Sequence, residues 1–227
     1  HLGRPARAWR AFSQWDSSWL SREGLMSLAT YLPALALAGL ARGDESFAPT
    51  RIAGALLCLC AIATLVCTAR IYTSLKPVAA WRDARVLPLY LLFGLLSGSL
   101  WLWAYLAFNP GRAVAAAFAL AMLVLGLVAG ALKATYWRTL DASRTPDAGH
   151  ATGLERIGAT RAFEGPVTEE SYLTREMAFV LARKHARGLR RIALLLFLLL
   201  PGLALALALA RPAAQPWLAP VAAFSCV

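Results

Sequence analysis

The chain has 227 residues, 59% of them hydrophobic and 15% charged, with a mean hydropathy of +0.57; a soluble domain of this length sits near roughly 45–50% apolar and about 25% charged, so one small water-excluding core cannot bury the excess and lipid has to cover it. The formal net charge is +11, which in so apolar a chain points to basic loops held on one side of a membrane and excludes nucleic acid as a partner. The four cysteines, Cys58, Cys60, Cys67 and Cys226, match neither a disulfide framework nor a metal or iron–sulfur motif, and read as small apolar packing residues.

In chain order, the first stretch places Trp9, Phe12, Trp15 and Trp19 every three or four residues, a spacing that suits a helix in the membrane interface with Arg4, Arg7 and Arg10 towards water. His1 has an imidazole that can exchange a proton near neutral pH, although a histidine at a membrane boundary can equally be merely solvated. Ser17-Ser18-Trp19-Leu20-Ser21-Arg22-Glu23 follows. Serines cap helix starts, and a carboxylate in the first turn is favoured by the helix dipole. Glu23 therefore has two readings, a dipole partner or a proton acceptor at a pocket rim.

Five apolar runs are long enough to span a bilayer core: Gly24–Ala41, Ile52–Ala69, Leu87–Phe108, Ala113–Trp137 and Ile192–Ala210. A sixth starts near Trp217, and the chain, which begins with His1 rather than Met, stops inside it; both ends read as cut from a longer protein. Pro33 and Pro201 lie inside spans, where membrane helices tolerate them. Trp19, Trp81, Trp101, Trp103, Tyr136, Trp137 and Trp217 gather at span ends as an aromatic belt. The expected fold is an all-α, polytopic integral membrane helix bundle, a single membrane domain over residues 1–227.

Lysines and arginines fall unevenly in alternate connections. The segment before the first span, the connection after the second and the stretch from Lys133 to Arg191 after the fourth carry four, four and eleven, nineteen in all, against four on the opposite side. That imbalance predicts the first side to be cytoplasmic. The long connection, 138–191, reads as irregular up to Pro166 and then, over Glu169–Arg191, as an amphipathic helix with a basic run. Such a helix suits anionic headgroups or a docking partner subunit. At the end of the second span Arg70-Ile71-Tyr72 are either ordinary interface anchors or hydrogen-bond donors to a bound carbonyl. None of the three histidines, His1, His150 and His185, lies in the middle of a span, so the chain is expected to hold no haem, and no metal, of its own.

The block from His1-Leu2-Gly3-Arg4-Pro5 to Trp9-Arg10, with Ser18-Trp19-Leu20-Ser21-Arg22-Glu23 after it, resembles the membrane anchor subunit of dimethyl sulfoxide reductase-type complexes. Arg70-Ile71-Tyr72 looks like the same family. Tyr172-Leu173-Thr174-Arg175-Glu176-Met177 and Ala182-Arg183-Lys184-His185 are similar to a branch that includes anchors of membrane-bound sulfite dehydrogenases. The resemblance implies about eight transmembrane helices in the whole protein, residence in the bacterial inner membrane, and two partners, an iron–sulfur subunit and a molybdopterin catalytic subunit. It implies a subunit of a complex serving anaerobic or sulfur respiration, in which electrons pass between that relay and menaquinone or ubiquinone. It assigns quinone binding to His1, Arg4 and Glu23, to which the residue reading adds Arg70 and Tyr72. Two rivals stand beside this reading. A transporter or channel more often places ionisable groups near mid-membrane, and a structural anchor would have no quinone site.

Overall fold

The computed structural model describes residues 5–40, 47–75, 78, 80–108, 116–142, 149, 152–158, 160 and 185–226. Among them all regular structure is helical. The principal helices are α1 (Trp19–Leu40), α2 (Ala48–Thr73), α3 (Val86–Ala107), α4 (Ala116–Ala142), α5 (Ala186–Leu194), α6 (Leu200–Ala210) and α7 (Gln215–Phe224). Five helical stretches are long and apolar enough to cross a membrane, the fifth being Ala186–Ala210 as one continuous run. Large apolar side chains such as Leu32, Leu35, Ile52, Leu59, Leu127 and Leu203 stand exposed on them, which suits a lipid solvent and not water. The polytopic helical fold expected from the apolar runs is the fold observed.

The helices outrun the apolar runs at several ends. α1 begins at Trp19, five residues before the apolar run, and α2 continues through Arg70 and Tyr72 to Thr73. A helix stops where its backbone groups find other partners, not where hydropathy falls. At the start of α1 the Ser18 carbonyl takes the Arg22 amide at 3.1 Å and the Ser18 hydroxyl faces the Ser21 amide at 3.4 Å. Pro49 enters α2 in its first turn, where its missing N–H costs nothing.

Residues 1–133 and 134–227 form two compact units. In the first, α1 packs along α2 and α2 along α3. Glu23 at the start of α1 meets Thr68 near the end of α2, and Tyr72 of α2 meets Tyr90 at the start of α3. Both pairs are therefore antiparallel, with the start of α1, the end of α2 and the start of α3 at one end. α2 and α3 come close at Gly94, where a Cβ would lie 2.8 Å from Leu65 Cδ1. The buried side of α3 carries Leu89, Leu96, Leu100 and Trp103.

In the second unit α5 is strongly amphipathic and basic, with Arg187, Arg190 and Arg191. Of the amphipathic helix expected over 169–191, the portion 169–184 lies outside the described residues, as does most of the connection before it. Arg190 makes a two-pronged ion pair with Asp141 at the end of α4, at 2.6 and 2.9 Å, and lies over the Trp137 ring. Between α5 and α6 the backbone opens into a π turn, Leu195–Leu199, where the Leu200 amide donates to the Leu195 carbonyl. Pro201 explains it. Its ring has no N–H and collides with the carbonyl four residues back, and a widened turn relieves the collision. α6 then packs on α7, burying Ala204, Leu205 and Ala208 with Ala219, Ala222 and Ala223.

Candidate functional site

The end of the first unit where α1 starts and α2 stops gathers most of its polar chemistry. Pro5–Ala11 forms a short 3₁₀ helix, and turns over 12–17 carry the chain into α1. The aromatic spacing from Trp9 to Trp19 thus does not make one interfacial helix. The stretch folds back on the head of α1 instead. Phe12 packs on Gly24, where a Cβ would lie 2.9 Å from Phe12 Cε1, so only glycine admits the ring so close. The Ser21 hydroxyl, on a residue only 3% exposed, donates to the Ala11 carbonyl. Arg22 donates from Nε to the Trp15 carbonyl at 2.7 Å and from Nη2 to the Asp16 carbonyl, and its guanidinium stacks 4.3 Å over the Trp19 ring. Carbonyls of a turn that no helix can use are satisfied by a neighbouring cation.

Glu23 sits in the second turn of α1, not the first, and α1 has no acidic residue in its first turn. The dipole reading therefore loses its geometry. The carboxylate is engaged across the helix pair instead, accepting from the Thr68 hydroxyl at 2.6 Å, the length of a hydrogen bond to a charged oxygen. Arg70 of α2 lies 5.9 Å from the Trp19 ring centre, so Arg22 and Arg70 both engage one indole. Cys67 is close enough to feel the charges of both Arg22 and Glu23.

Tyr72 goes elsewhere. Its ring stacks on Tyr90 at 5.8 Å and meets Trp81 edge-on at 5.3 Å. Residues two apart on a helix face different ways, so Arg70 turns to Trp19 and Tyr72 to α3. Of the five residues expected from sequence, Glu23 and Arg70 come together around Trp19, Tyr72 joins an aromatic cluster at the same end, and His1 and Arg4 lie outside the described residues. Thr68, Arg22 and Trp19 were not among the expected site residues.

One helical turn deeper than Glu23 and Thr68, a groove of about 450 Å³ runs between α1 and α2, with Ser27, Thr30, Tyr31 and Thr64 in its lining. Its serine and threonine hydroxyls point back to their own helices: Ser27 to the Gly24 carbonyl, Thr30 to Met26 and Thr64 to Cys60. A second, wholly apolar groove of about 610 Å³ lies further along the pair between Leu32, Pro33, Leu56 and Cys60. The arrangement can accept a proton at a carboxylate, hold oxygen atoms with guanidinium donors, and seat an apolar body alongside.

A family model described as the DMSO reductase anchor subunit (DmsC) matches residues 1–149, which is most of the chain and includes every residue of this site. The chain belongs to the DMSO reductase anchor subunit family. One of the subunits of the sulfite dehydrogenase of Allochromatium vinosum is 32% identical over 141 residues, 56% of this chain and 43% of that protein, so the chain spans less than half the length of this curated relative. No solved structure matches. As a member of an anchor family with five membrane-length helices, the anchor is a multi-pass membrane protein. α5, α6 and α7 lie beyond the matched stretch.

Proposed function

We propose that this anchor exchanges electrons between the quinone pool and an iron–sulfur partner subunit that serves a molybdopterin catalytic subunit, in a complex of the DMSO reductase or sulfite dehydrogenase kind. The observation that supports it best is the Glu23 carboxylate held by Thr68 beside a tryptophan flanked by two arginines. Quinol oxidation releases two protons with two electrons, so a site for it needs a proton acceptor next to donors for the ring oxygens. Glu23 takes one proton. Arg70, with Arg4 of the N-terminal motif, serves the ring oxygens, and His1 is the second proton acceptor. The groove beneath receives the apolar substituents of a menaquinone or ubiquinone. Run in reverse, the same groups deliver protons to a quinone.

The nineteen-to-four distribution of basic residues supports a bacterial cytoplasmic-membrane location, with this end of α1–α3 on the cytoplasmic side and residues 1–227 acting as one membrane domain. There the 138–191 connection can meet the iron–sulfur subunit, which keeps the electron path short. The test is turnover of the membrane-bound complex with quinone and, separately, with an artificial soluble electron carrier. Glu23→Gln keeps size and hydrogen bonding but removes the base, and Arg70→Ala removes a donor. Each is expected to lower quinone-linked turnover at least about tenfold, since acid–base groups contribute on the order of 10²–10⁴, with the carrier reaction unchanged. Normal quinone-linked rates in both variants would place the site elsewhere.

A further inference from the structure

The Thr68 hydroxyl has two acceptors and one hydrogen. Its oxygen lies 2.6 Å from Glu23 Oε1 and 3.0 Å from the carbonyl of Thr64, one turn back on its own helix. A hydroxyl carries one hydrogen and two lone pairs, so it can donate to only one of these at a time. Resting on the quinone-site reading above, we propose that Thr68 is a positioning residue for proton exchange at Glu23, its hydroxyl turning between the carboxylate and the Thr64 carbonyl as Glu23 loses and gains its proton.

While Glu23 is ionised, the hydroxyl hydrogen belongs on its oxygen, as the short separation requires. When a quinol hydroxyl gives its proton to Glu23, the electrons leaving for the iron–sulfur partner, the carboxyl becomes a donor. With the proton on Oε1, the new O–H can turn to Thr68 Oγ1, and the Thr68 hydrogen turns onto the Thr64 carbonyl, which has a second lone pair beside its helical bond. Only the C–O torsions of the two hydroxyls change. No heavy atom has to move, and in neither protonation state is the Thr68 hydroxyl without an acceptor in a half-buried place where an unmade bond is costly. The other helix-interior hydroxyls near it, those of Thr30 and Thr64, donate only to the carbonyl four residues back, the usual resting place of a threonine in an apolar helix. Thr68 makes that bond and reaches the carboxylate as well. The charged groups placed around the pair are Arg22 on the helix of Glu23 and Arg70 on that of Thr68, with the Cys67 thiol next to it.

The test uses the intact membrane complex. Thr68→Val keeps the shape and removes the hydroxyl; Thr68→Ser keeps the hydroxyl. Quinone-linked turnover, turnover with a soluble carrier, and the redox-induced infrared difference spectrum are recorded for each, with the Glu23 carboxylic C=O band identified by its loss in Glu23→Gln. T68V is expected to lower quinone-linked turnover about tenfold, the rate equivalent of one hydrogen bond of ordinary strength, with the carrier rate kept. Its C=O band should move to higher wavenumber as the acid loses its acceptor. T68S should restore both. A T68V complex with normal turnover and an unmoved band overturns the role of Thr68 while leaving Glu23 as the base, and so does a T68S complex as impaired as T68V. Normal quinone-linked turnover in E23Q overturns the quinone site and this proposal with it. Should T68V not assemble, Thr68→Ala is read by the same two criteria and decides the matter.

Discussion

Replacing Arg22 with methionine keeps the apolar stem of the side chain and removes its fork of donors. The structure says what is lost: the bonds from Nε to the Trp15 carbonyl and from Nη2 to the Asp16 carbonyl, and the stacking over Trp19. A hydrogen bond from a charged group is worth about 1.5–3 kcal/mol, and at a half-exposed arginine the lower figure applies to each. The cation over the indole adds about 0.5 kcal/mol. The sum, about 3.5 kcal/mol, acts on the docking of residues 5–18 against the head of α1 and corresponds to about a three-hundredfold change in its docked-to-undocked ratio. What remains is Phe12 on Gly24 and the Ser21 bond to the Ala11 carbonyl, so the segment loosens without α1 unfolding. Hydrogen exchange of the complex in lipid nanodiscs reads this directly. The amides of Phe12, Ser17 and Ser18, which now bond within the segment, should exchange about three-hundredfold faster in Arg22→Met, with α2 amides unchanged. Equal exchange in the two proteins would refute the reasoning, as would acceleration that extends equally into α2.

Other positions give independent checks. Gly94→Ala should destabilise the complex by about 1–3 kcal/mol, because its Cβ would sit 2.8 Å from Leu65 Cδ1; adding Leu65→Ala should recover part of that loss in thermal unfolding, and no recovery would mean that the α2–α3 approach is not the cause. Ser74, the exposed residue that ends α2, should as Ser74→Cys escape an impermeant thiol reagent in intact cells and react after permeabilisation, while ready labelling in intact cells would invert the topology.

The membrane character and the number of long helices were legible because a bilayer demands some twenty apolar residues in a row, a pattern no other constraint produces. The ends of α1 and α2 were less so, since they are set by Ser18 and by turn geometry beyond the apolar core. Glu23 was recognisable as a rare carboxylate at a span end, but its partner was not. Thr68 sits 45 residues away in an apolar run, and nothing about a threonine there distinguishes it from Thr64 or Thr30. Arg22 gave no sign of its role either, because its partners are backbone carbonyls and every residue has one. Tyr72 and Arg70, neighbours in the sequence, were expected to serve one ligand together. The helix turns them apart, one to the aromatic rings facing α3 and one to Trp19.

The π turn at Leu195–Leu199 takes up one residue of the count in the C-terminal part of the chain. Each residue of an α-helix advances the side chains by about 100°, and the widened turn holds one residue more than a plain helix would use there. Exchanging one leucine of that run for another apolar residue leaves the phase of everything around it intact. Deleting one would let Leu195–Leu199 close into ordinary helix with α5 and α6 still in phase, so that the Arg190 guanidinium stays on Asp141 and Trp137, whereas the same deletion in a plain stretch of helix would turn one flank by about that same 100°. The widened turn is where this helix can lose a residue and keep its faces.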